Sequence, residues 1–113
     1  MPKRDFEKLL LEAVDEGLSS LGESSKQAIY FHLEKGFNVR KQEIPYKIKD
    51  FARAIEKIFG LGANFLEILI MQSLHEKIGE SFEEPLSPDL NLAECVAAAE
   101  QKYLVLEPQE VKP

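Results

Sequence analysis

Phe59-Gly60-Leu61-Gly62-Ala63 separates two strongly apolar helical patterns, and its reading decides the fold. Upstream, Ile48, Phe51, Ala52, Ile55, Ile58 and Phe59 fall on one face of a helix. Downstream, a helix over roughly 62–78 carries Phe65, Leu66, Ile68, Leu69, Ile70, Met71, Leu74 and Ile78, which cover more than one side of it. A Gly-x-Gly element can open a dinucleotide-binding fingerprint, but that motif needs a preceding strand and a third glycine where the next helix starts. Here a helix precedes it, and Phe65 occupies the place of the third glycine. The reading is therefore a helix–helix corner, in which Gly60 supplies a left-handed cap, Gly62 a close backbone approach and Ala63 tight packing.

Toward the N-terminus, Phe6, Leu9, Leu10, Ala13, Val14, Leu18 and Leu21 recur at helical spacing and predict a helix over about 5–20, ended by Gly22. Glu23 and Ser24 open a second helix, whose stripe is Ala28, Ile29, His32, Leu33 and Phe37. So short a connection makes the two an antiparallel αα-hairpin. Between this hairpin and the next helix, Asn38 is read as the cap of a single turn through Glu43, and Pro45 biases Ile44 toward an extended conformation.

Toward the C-terminus the charge changes. Residues 1–79 hold 12 acidic and 12 basic side chains, whereas residues 80–113 hold 8 acidic against Lys102 and Lys112. All of the net charge of −6 thus lies in the last third, the pattern of a neutral core with an acidic appendage. Residues 80–88 read as an acidic, proline-containing linker, with Pro85 and Pro88 opposing helix. Leu92, Cys95, Val96, Ala99 and Tyr103 then give an accessory helix over about 89–106, and 107–113 is expected to be a disordered tail. The small residues of this helix suit close packing, either on its own core or, as the competing expectation, in a homodimer.

Composition narrows the function classes. A chain of 113 residues is long enough for one self-supporting core. One cysteine allows no internal disulfide and no usual zinc site. His32 and His75 lie outside any metal-ligand spacing and are expected to be partly packed. Cys95 sits among alanines, so its thiol reads as packed rather than reactive. No nucleophile, base and acid are assembled, so no catalytic residue and no cofactor are assigned. The start, Met1-Pro2-Lys3-Arg4-Asp5, leads into a charged amphipathic pattern unlike a signal peptide, and no apolar run approaches the length of a membrane span. The expectation is a soluble cytoplasmic protein with no membrane partner.

Two surfaces remain as candidates. The excess apolar character around the fourth helix marks Leu61, Phe65, Ile68 and Met71 as an interaction surface. Lys49, Arg53 and Lys57 recur every four residues along the third helix, with Lys47 just before it, as a strip for anions or an acidic partner. A nucleic-acid footprint normally comes with a strongly basic domain, and the neutral body argues against that partner.

At the corner the sequence also resembles a known family. Leu18-x-x-Leu21-Gly22-Glu23-Ser24, Ala28-Ile29-Tyr30-x-x-Leu33, Glu43-Ile44-Pro45, Phe51-x-x-Ala54-Ile55 and Phe59-Gly60-x-Gly62-Ala63, with Glu67, Ile70 and Leu74-His75, are similar to the archaeal Nitrosopumilus output domain, type five, over about residues 8–79. The resemblance implies a small helical domain acting as an output module in signal transduction, without catalysis or cofactor. Together these readings predict an all-α fold: a four-helix core over 1–79, made of two helical hairpins, plus the accessory C-terminal helix. The expected function is non-enzymatic, recognition of another protein or a second copy through an apolar helical surface. The alternatives are a nucleic-acid-binding regulator using the basic strip and a small-ligand sensor with an apolar pocket between helices.

Overall fold

A computed structural model describes residues 2–79 and 92–110 and shows an all-α bundle of five α-helices. They are α1 (Pro2–Ser19), α2 (Glu23–Phe37), α3 (Ile48–Phe59), α4 (Ala63–Lys77) and α5 (Leu92–Glu110). Two 3-10 turns, Lys41–Tyr46 and Gly60–Gly62, link α2 to α3 and α3 to α4. The expected linker, 80–88, and residues 111–113 of the expected tail lie outside the described residues. α5 continues to Glu110, past the expected end near 106.

The most extensive contact joins α1 to α4. Phe6, Leu10, Ala13, Val14 and Leu18 of α1 are buried together with Leu66, Ile70, Met71 and Leu74 of α4. The approach is close because Gly17 faces Ile70: a Cβ there would stand 2.7 Å from Ile70 Cγ1. This glycine, rather than Gly62, provides the backbone contact expected at the corner. Gly62 has φ −71°, and a Cβ on it would meet only Phe59 Cβ, at 3.9 Å. Gly60 does require glycine, with φ 58° and ψ −128° at the end of α3. That is a positive-φ cap, though not the αL geometry expected.

The connection between α2 and α3 also departs from its sequence reading. Asn38 does not start a turn. It ends α2 in the αL conformation, at φ 58° and ψ 39°, which asparagine tolerates better than most residues. The backbone N–H of Val39 then donates to Leu33 O across the cap. Pro45 lies inside the 3-10 turn and Ile44 is fully buried, because the short turn satisfies its backbone locally while driving that side chain into the core. The N–H of Arg40 donates to Glu43 Oε1 at 3.0 Å, which stabilises the turn's start.

α5 packs on α1, α3 and α4 of its own chain. Leu92, Cys95, Val96 and Ala99 join the core, and the ring centroids of Phe6 and Tyr103 lie 5.8 Å apart. With α1, α3 and α5 around it, α4 is apolar on several sides mainly because its own domain surrounds it.

Candidate interaction surface

The corner residues divide between core and solvent. Phe59 is half-buried and Ala63 fully buried, so the turn is anchored from both sides. Between them, Leu61 is 100% exposed, and just beyond, in the first turn of α4, Phe65 is 64% exposed. The 3-10 turn Gly60–Gly62 pushes Leu61 outward, while Phe65 lies on the face of α4 opposite Ala63, Leu66 and Ile70. Ile68 is partly buried. Met71 is not part of this surface: it is 1% exposed and belongs to the core. Its position one turn beyond Glu67 turns it inward with Ile70 and Leu74, which the all-round apolar sequence of α4 conceals. Two large apolar side chains on a rigid corner thus stand in water, apart from the exposed Phe31 and Tyr46 on other elements.

The basic strip on α3 lies where the spacing places it. Lys49, Arg53 and Lys57 are exposed and form no ion pair among the described residues. Lys49 and Arg53 line a shallow groove with Ala52, Glu56 and Ala93 of α5. Lys47 is separate from them: its Nζ donates to Asn38 O at 3.0 Å and pairs with Glu43 Oε1 at 3.4 Å.

A third constellation was hidden from the sequence because its parts are distant along the chain. Asp15 of α1 accepts a hydrogen bond from Tyr30 Oη at 2.9 Å, another from Lys26 Nζ at 3.2 Å, and pairs with Lys41 Nζ at 3.4 Å. Burial would raise the Asp15 carboxyl, but the two hydrogen bonds and the two lysine charges outweigh it and hold the group below its ordinary range. Burial and the Asp15 charge push the Tyr30 phenol upward. Lys41 Nζ also lies 5.1 Å from the Tyr30 ring centroid. These groups border an open groove of about 480 Å³ between α2 and the Lys41–Tyr46 turn. Its Asp15, Lys26, Glu34, Arg40 and Lys41 make it charged rather than apolar.

His32 is exposed, not packed, and its ring stands edge-on to Phe31. The α2 stripe is narrow, with only Ile29 and Leu33 buried, which leaves His32 beside the interface instead of in it. His75 is partly buried, with Nδ1 3.1 Å from Met71 O. No cluster of three or more His, Cys, Asp or Glu side chains among the described residues is arranged to hold a metal ion. No helix among them is long and apolar enough to cross a membrane. Comparison with known proteins yields no matching family, curated protein or solved structure.

Proposed function

We propose that this chain is a non-enzymatic interaction module that docks another protein on the corner formed by Leu61 and Phe65. The observation that carries the reading is their exposure, 100% and 64%, on a turn anchored by half-buried Phe59 and buried Ala63. A turn anchored at both ends has little backbone freedom left to lose on binding, so the apolar burial has chiefly side-chain ordering, about 0.5–1.5 kcal/mol each, to offset. Burial of a leucine and a phenylalanine contributes about 1.5–3 kcal/mol each, enough for a recognition anchor inside a larger contact. The output role in archaeal signalling and a cytoplasmic setting follow from the sequence resemblance and composition.

The test is chemical crosslinking in native extract with a photoreactive residue at position 61, compared with one at the exposed position 31. The expected outcome is a discrete adduct from position 61 that disappears in Phe65→Asp. The same adducts from both positions, or adducts unaffected by Phe65→Asp, would remove the corner from consideration.

A second reading rests on Lys49, Arg53 and Lys57, three exposed cations without an ion-pair partner among the described residues. They suit an acidic ligand, including nucleic acid. Retention on DNA or RNA that falls with salt and is lost on charge reversal of the three would favour that reading.

A further inference from the structure

Glu67 is the polar exception in the core. Its side chain is 6% exposed, and Oε2 has no hydrogen-bond partner. It sits on α4, where α3 and α5 pack against that helix. From α3 the ionisable group acting on it is Glu56, and from α5 the Cys95 thiol feels its charge, as it does that of Glu94. On α1, Glu12 and Glu16 meet Lys77, and Glu16 also takes Ser73. Lys77 is ten residues, roughly 15 Å, farther along α4 than Glu67. The turn Gly60–Gly62 carries no ionisable side chain. The groups facing Glu67 are therefore acids and a thiol, and no cation among the described residues pairs with it.

A neutral carboxyl in this place leaves one hydrogen bond unmade, whereas a carboxylate leaves an uncompensated buried charge. α3 is tied to α4 through a three-residue turn, whereas α4 ends at Lys77 and α5 begins at Leu92, so no short turn enforces the contact that α5 makes with Glu67 at Cys95. We propose that Glu67 is a proton-controlled latch: its neutral carboxyl lets α5 close on α3 and α4, and its ionisation weakens that closure. Withdrawal of α5 would uncover the apolar surface now occupied by Leu92, Cys95, Val96 and Ala99, a second face distinct from the Leu61–Phe65 corner.

The direction follows from linkage. Burial, reinforced by Glu56, raises the Glu67 carboxyl above its ordinary 4.5 in the closed form. Opening returns it to water. Closure is thus fully favoured below the ordinary value and weakens as pH rises through the raised one, by about tenfold for each unit of elevation.

The test is hydrogen exchange of residues 92–104 in the full chain at pH 4 to 8, corrected for intrinsic exchange. The wild type should lose protection with rising pH by that factor, Glu67→Gln should keep constant protection, and Cys95→Ser should follow the wild type. A flat wild-type profile, a Glu67→Gln profile that tracks the wild type, or a flat Cys95→Ser profile would overturn the latch. If Glu67→Gln does not fold, NMR titration of the Glu67 carboxyl carbon in the wild type decides: a midpoint above the ordinary glutamate range that coincides with the loss of protection in 92–104 supports the latch, and one within that range, or apart from the loss, ends the proposal.

Discussion

A Cβ placed on Gly17 would stand 2.7 Å from Cγ1 of Ile70, so α1 and α4 meet through a notch that only glycine leaves open. Ile70 is fully buried and cannot swing aside. Gly17→Ala gains about 1 kcal/mol of helix propensity but incurs about 1–3 kcal/mol of overpacking. Gly36 in α2 has no atom within 4 Å of an added Cβ. Denaturant melts should therefore give opposite signs: Gly17→Ala loses stability, by up to about 2 kcal/mol, and Gly36→Ala gains about 0.5–1 kcal/mol.

The two corner glycines should also separate. Gly60 at φ 58°, ψ −128° holds a backbone conformation that a side chain strains. Gly60→Ala should cost about 1–3 kcal/mol. Gly62, at φ −71° with ordinary room for a Cβ, should accept alanine with no loss. Thermal melts showing equal losses at the two positions would contradict this assignment of roles.

Helix placement was legible because each stripe repeats at helical spacing and the breaks carry glycine or proline. The corner itself was legible for the same reason, through Gly60. What spacing could not reveal was which side of α4 faces inward. Eight apolar residues surround that helix, so periodicity alone does not part Met71, in the core, from Phe65, in solvent. Gly17 was equally silent, since a helical glycine shows its purpose only once Ile70 is placed beside it. The Asp15 cluster needed the tertiary fold, because Tyr30 and Lys41 reach it from separate elements.

Met71 and Leu61 test the division between core and surface directly. Met71→Ala and Leu92→Ala each remove a fully buried side chain and should cost about 2–5 kcal/mol. The Leu92 result also measures how firmly α5 belongs to the body. Leu61→Ser, at a fully exposed position, should change stability by less than about 0.5 kcal/mol. A large loss at Leu61 with none at Met71 would reverse the assignment.

Asp15 gives a pH dependence of opposite sign to that of Glu67. Its folded carboxyl is held below the ordinary 3.8: burial opposes the shift, and the hydrogen bonds from Tyr30 and Lys26 with the charges of Lys41 and Lys26 outweigh it. A depressed carboxyl contributes stability above its unfolded value and loses it as pH falls through the folded one. The loss should therefore appear in acid, from about pH 4 downward, where Glu16, lowered by Lys77 and Ser73, adds to it. Asp15→Asn should cost about 1 kcal/mol at neutral pH, the scale expected for a partly exposed ion pair with a supporting hydrogen bond. It should also flatten part of the acid limb and return the Tyr30 phenol toward its usual value, since Asp15 helps to raise it. Urea melts between pH 2.5 and 7, with ultraviolet titration of the tyrosines, would measure both effects. Parallel acid limbs for wild type and Asp15→Asn would mean that Lys26, Tyr30 and Lys41 do not stabilise this carboxylate in solution.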